Sequence, residues 1–257
     1  MKITERTFKD FALVLKRSFK SLQELSFILH NPTIPGSALE FVASALTHLT
    51  CLKKLRIPCL TIQISQETDG SSFISSIKNL KSLKMLDLDF SSLPKNMITL
   101  QILATSLKSW TDPRCLFLNF QDADAFSVQE MEILAQSFQS FPFLENLALD
   151  FRDCPCMNDQ ALEKLSASLG VFTRLSKIAL SFDQCPLVGD AGVESLVSQF
   201  LSLTNLKSIT LSVLNCRPIK NEHNNRLQMN KMIKKSPFSM KGFKLLLILR
   251  KGNDSAF

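Results

Sequence analysis

Apolar and polar positions follow two rhythms along this chain. One is a short every-other-residue pattern, as in Lys84-Met-Leu-Asp-Leu-Asp-Phe90 and Asn146-Leu-Ala-Leu-Asp-Phe151. Period-two alternation predicts a strand, with Leu86, Leu88 and Phe90 on one face and Asp87 and Asp89 on the other. The second rhythm is helical. Leu162, Leu165, Leu169 and Phe172 set its spacing, and the same slots hold Met131, Leu134, Phe138 and Phe141 one unit earlier. Leu100, Leu103, Leu107 and Trp110 precede them, and Val193, Leu196, Phe200 and Leu203 follow. Helix starts are signalled locally: Ser37-x-x-Glu40 and Ser127-x-x-Glu130 read as capping boxes, Asp159 and Asp190 as N-caps.

Aligned on the central apolar residue of each strand pattern, the units fall at Leu25, Leu55, Leu86, Leu116, Leu147, Ile178 and Ile209, at intervals of 30, 31, 30, 31, 31 and 31. A fixed period in this range predicts a solenoid. Strand, loop, helix and loop within each unit make it an α/β solenoid, a horseshoe with a parallel inner sheet and outer helices. The expected organisation is a capping helix within 1–21 (amphipathic over 7–19), seven repeats over 22–214, and a C-terminal cap or tail over 215–257. The stretch 243–249 reads as a possible eighth strand, displaced from register by several residues. Phe90, Phe120, Phe151 and Phe182 share one inward slot, closed by Val213, and predict a continuous spine of rings.

Two runs carry a family resemblance. Leu144-Glu-Asn-Leu-Ala-Leu149 matches a leucine-rich-repeat strand, and Gly189-Asp-Ala-Gly-Val-Glu-Ser-Leu196 resembles the helix entry of the ribonuclease-inhibitor-like subtype. The likeness covers roughly residues 8–213. The period and the Leu-Asp-Phe strand ends also resemble leucine-rich arrays common in ciliate proteins, some joined to protein kinases. The resemblance implies a scaffold for protein–protein interaction. The chain departs from it in the slot five residues past the central leucine, usually asparagine or cysteine. Here that slot holds His30, Leu60, Ser91, Gln121, Arg152, Asp183 and Leu214, so each turn must be hydrogen-bonded in another way.

Composition narrows the class. Twenty phenylalanines and no tyrosine suit dry packing. The longest apolar runs, 11–15 and 245–249, are far shorter than the roughly 20 residues of a membrane span. Seven cysteines form no C-x-x-C, and Cys154, Cys185 and Cys216 recur at the repeat interval as small buried residues. The expected setting is soluble, intracellular and cytoplasmic. Three scattered histidines and the lack of a P-loop or kinase motif predict a non-enzyme with no cofactor, no metal and no small-molecule substrate.

The outward strand positions, the concave face of the predicted horseshoe, offer a partner site. The predicted contact residues are Lys53, Arg56, Lys84, Met85, Asp87, Asp89, Arg114, Phe117, Asn119, Ala148 and Asp150. Phe117 is the anchor, with cations along the edge where the strands begin and acids where they end. Charge is uneven as well. Residues 215–257 hold 10 Lys+Arg against 2 acids, or +8, whereas 1–214 hold 20 against 21, or −1. That basic segment is a second, weaker candidate, for nucleic acid or an anionic membrane. A regulatory array derived from a larger protein, for example a kinase-linked one, is a further alternative.

Overall fold

The computed structural model describes residues 5–27, 36–57, 71–91, 100–124, 126–217 and 244–248. Internal packing divides them between two units, Met1–Asn119 and Phe120–Phe257. Both units are α/β repeat solenoids of leucine-rich-repeat type. In each, an open, all-parallel sheet has its strands in chain order, with helices in the connections between them.

The first unit runs α1 (Glu5–Ser18), β1 (Glu24–Ser26), α2 (Gly36–Leu46), β2 (Lys54–Ile57), α3 (Ser71–Ser76), β3 (Met85–Asp89), α4 (Leu100–Lys108) and β4 (Cys115–Asn119). Its register pairs Leu25 with Leu55, Leu55 with Leu86, and Leu86 with Leu116, the alignment that the period predicts. These leucines are buried and their flanking strand neighbours are half-buried or exposed, as alternation requires. Helix α1 buries Phe8, Ala12 and Leu15, and Lys16 Nζ reaches Ser44 Oγ of α2 at 2.5 Å. Phe11, at the exposed flank of that stripe, meets Phe27 edge-on at 5.3 Å. The indole N–H of Trp110 donates to the Leu83 carbonyl and ties two successive loops together.

The second unit runs α5 (Val128–Ser137), β5 (Asn146–Asp150), α6 (Asp159–Leu169), β6 (Lys177–Ser181), α7 (Asp190–Ser202), β7 (Ser208–Ser212) and β8 (Lys244–Ile248). Leu147 pairs with Ile178, Ile178 with Ile209, and Ile209 with Leu245. The last interval is 36 residues instead of 31, so the eighth strand lies in the displaced place its sequence suggested. Phe151 is wholly buried between Phe120 and Phe182, with stacked rings 5.4 and 5.7 Å away, and Phe126 closes the cluster edge-on at 4.7 Å.

Helix starts agree with the local signals at Ser127, whose hydroxyl accepts from Gln129 N–H while Glu130 accepts from Ser127 N–H. At α6 and α7 the cap lies one residue earlier than expected, at Asn158 and Gly189. The reason is a contact between repeats. Asn158 Oδ1 accepts from Ala161 N–H, which leaves Asp159 Oδ1 to accept from Gly189 N–H at 2.6 Å. Gly192 permits that closeness, since a Cβ there would lie 2.8 Å from Asp159 Oδ1 and 3.0 Å from Asp159 Cα. The Ser37 side chain on which the first capping box rests, the turn slots His30 and Leu60, and most of the basic C-terminal segment lie outside what the structure describes.

Candidate functional site

The turns that leave the strands carry the cysteines, and their geometry decides what those thiols do. In the second unit Asp122, Asp153, Gln184 and Asn215 all take left-handed backbone, with φ of 61, 59, 61 and 57°. Asp and Asn accept this conformation more readily than most side chains. The last three of these turns each bring a buried or half-buried thiol to the phenylalanine carbonyl of the preceding repeat. Cys154 Sγ donates to Phe120 O at 3.2 Å, Cys185 to Phe151 O at 3.0 Å, and Cys216 to Phe182 O at 3.0 Å. This cysteine ladder, seven residues past Leu147, Ile178 and Ile209, supplies turn bonding that the missing asparagine slot left open. Burial pushes the thiols up, Cys154 to about 12 and Cys216 to about 11, with Cys185 raised further still. They stay protonated at neutral pH and are poor nucleophiles. Their part is structural, as expected, but as hydrogen-bond donors and not merely as small apolar side chains.

Nine of the eleven predicted partner residues gather on one face of the first unit; Ala148 and Asp150 lie on β5 in the second. The register sets Arg56 beside Asp87, and Asp87 beside Phe117. Arg56 Nε binds Asp87 Oδ2 at 3.0 Å, so these two charges satisfy one another within the sheet. Lys54 and Glu24 pair likewise at 2.5 Å. At the leading edge, where the strands begin, Lys53 Nζ donates to Gln23 Oε1 at 2.9 Å. Asp112 is shared by Lys84 at 3.5 Å and Arg114 at 2.9 Å. Alternation missed Asp112 because it sits in the loop before β4, outside every strand column. Opposite, at the trailing edge, two acids are occupied by their own turns. Asp89 Oδ1 accepts from Ser91 N–H at 2.8 Å, and Asp150 Oδ1 from Arg152 N–H at 3.1 Å. Asn119 ends β4, and its carbonyl accepts from Phe90 N–H at 2.7 Å.

Between these edges Met85, Cys115 and Phe117 stand half-buried on neighbouring strands. They form an apolar patch in a setting of internally paired charges. The second unit's middle positions are smaller: Ala148, Ala179 and Thr210 follow one another across β5, β6 and β7. Elsewhere, His48 Nδ1 lies 3.0 Å from both Thr47 Oγ1 and the Ser44 carbonyl on the helix side. Among the described residues, no cluster of three His, Cys, Asp or Glu is placed to hold a metal, and no helix is long and apolar enough to cross a membrane.

No protein-family profile matches this chain, and no curated protein matches it. Among solved structures, a crystal structure of a Bacteroides fragilis protein covers 96% of this chain and 72% of its own, with a TM-score of 0.44 at 12% identity. A likeness that loose carries no argument, and the reading of the site rests on its own geometry.

Proposed function

We propose that this chain is a non-catalytic interaction module that takes a protein partner on the outward strand face of its first unit. One observation carries the reading: Phe117 stands half-exposed on that face, with Cys115 two residues before it on the same strand and Met85 diagonally across on β3. A large ring ringed by residues that satisfy their own charges is the make-up of an interface hot spot. The paired charges then set orientation, because a partner displacing one member must replace it. The reading as a non-enzyme is supported by thiols held protonated by burial and by the engagement of His48 with its own helix turn. The ribonuclease-inhibitor-like subtype is supported by the full helices α6 and α7, of 11 and 13 residues, and by the Gly189 helix entry. An intracellular, reducing setting fits the six cysteines that are free among the described residues.

The test is Phe117→Asp in the full chain. Circular dichroism should match the wild type, while the purified partner, identified beforehand by cross-linking in the native cell, should lose binding by about a hundredfold, the scale of a hot-spot residue. A folded variant that binds its partner normally contradicts the proposal.

A further inference from the structure

We propose that the leading edge of the first unit recognises an acidic, extended protein segment. This rests on the partner face proposed above and adds the chemistry of what binds there. Backbone bonds place four residues on successive rungs. Lys53 N–H donates to the Gln23 carbonyl at 2.7 Å, Lys84 N–H to the Lys53 carbonyl at 2.8 Å, and Arg114 N–H to the Lys84 carbonyl at 2.8 Å. Three cations therefore sit just before the starts of adjacent strands, whose spacing is about 4.8 Å. Like charges directly opposite one another destabilise a sheet, and Asp112 offsets part of the row from within.

The surrounding sequence strengthens the bias. The stretches leading into the four strands, 19–24, 49–54, 80–85 and 110–115, hold Lys20, Lys53, Lys54, Lys81, Lys84 and Arg114 against Glu24 and Asp112. That is six positive charges against two negative, or +4, with every cation exposed except the half-buried Arg114. Lys78 and Lys108 lie before these stretches, in last helical turns where they answer the helix's negative end. In the second unit the same rungs read Glu145, Ser176 and Lys207, with no run of cations.

A protein ligand fits this edge better than nucleic acid does. Single-strand binders interleave their cations with ring platforms for the bases. Of the two aromatic residues in these stretches, Phe19 is exposed at one end, while Trp110 is buried with its N–H on Leu83. The neighbouring Met85 and Phe117 instead offer an apolar side chain a seat beside the carboxylates.

The experiment is fluorescence anisotropy on the full chain at about 0.15 M salt. Its main probe is a labelled peptide of about a dozen residues, alternating Glu and Ser, with a central Leu-Phe pair. Control probes are the same peptide with Gln for Glu, the Glu peptide with Ser for Leu-Phe, single-stranded DNA of equal charge, and phosphatidylserine vesicles. The Glu peptide should bind, and the Gln peptide should bind about tenfold more weakly or worse. Lys53→Glu, Lys81→Glu and Lys84→Glu together should cost at least about tenfold, whereas Lys231→Glu, Lys234→Glu and Lys235→Glu in the C-terminal segment should change nothing. If the reversal disturbs folding, Lys53→Gln with Lys84→Gln should still weaken binding by about threefold.

Four results overturn the proposal: no binding of the Glu peptide, equal binding of the Gln peptide, a folded edge variant with wild-type affinity, or tighter binding of DNA or vesicles through the same lysines. Phe117→Asp separates this inference from the reading it rests on. If Glu-dependent binding survives Phe117→Asp and the Leu-Phe pair proves irrelevant, the edge stands and the face falls. If binding follows the Leu-Phe pair and Phe117 but not the lysines, the face stands and the edge falls.

Discussion

The two units use one repeat template to different ends. In the second, three successive turns repeat one pattern, a left-handed residue followed by a thiol donating to the phenylalanine carbonyl of the preceding repeat, with stacked rings beneath. Its outward middle positions are small, from Ala148 to Ala179 to Thr210. In the first unit the same positions read Ser26, Arg56, Asp87 and Phe117, and no two are alike. Where successive rungs are alike, stacking serves stability, because each repeat satisfies its neighbour. Where they differ, the sheet presents a distinct pattern of charge and shape, which recognition requires.

The comparison is broken most easily at the ring spine. Phe151→Ala should cost about 3–5 kcal/mol in urea unfolding, since it removes a fully buried ring from between two others. Phe27→Ala, half-buried at the first unit's edge, should cost less than about 2 kcal/mol. Equal losses would end the distinction between the two units' packing.

Gly192→Ala should destabilise by about 1–3 kcal/mol, since the new methyl meets the Asp159 backbone and α7 must shift from α6. A gain in stability, of the kind an exposed helical glycine gives when replaced by alanine, would show that the helices have room.

The cysteine ladder should have a somewhat smaller effect. Cys185→Ala should cost about 1–2 kcal/mol by leaving the Phe151 carbonyl without its thiol donor, and Cys185→Ser should recover part of that. The sign with pH follows from the raised thiol pKa values. The folded protein keeps these protons when the unfolded chain begins to lose them near about pH 8.5. The ladder's contribution is therefore full below that pH and is lost as pH rises towards about 11 for Cys216 and about 12 for Cys154. Unfolding free energy followed from pH 8 to 11 should fall less steeply in Cys185→Ser than in the wild type. An unchanged slope would mean that the thiol is not shielded.

Phe117→Asp should have the smallest effect on stability, below about 1 kcal/mol, because the position is outward and half-exposed. Unfolding of this variant would make Phe117 a core residue and the strand-face assignment wrong.

The fold was legible because its two signals are periodic and reinforce each other at every repeat. Within each unit the central residues, Leu25 to Leu116 and Leu147 to Ile209, fall into the register their spacing implies, even though single strands here are only three to five residues long. The binding face was legible only in outline. Alternation says which side chains point outward, so it placed Phe117 and Met85. It does not say which charges spend themselves on neighbours. Arg56 and Asp87 are 31 residues apart and meet only across strands. Asp89 and Asp150 turn back onto their own loops, and Asp112 lies outside the alternating pattern altogether. The thiol ladder was visible as a spacing, but its acceptor is a main-chain carbonyl, a group that every residue carries and no sequence pattern singles out.

The account's central claim is that recognition belongs to the first unit's strand face. The direct measurement is site-specific photo-cross-linking in the native cell, with benzoylphenylalanine at position 117 in one variant and at position 179, the equivalent middle position of the second unit, in another. A discrete protein adduct from 117, lost on Lys53→Glu with Lys84→Glu and absent from 179, is the predicted result. An adduct from 179 with none from 117 would contradict the account.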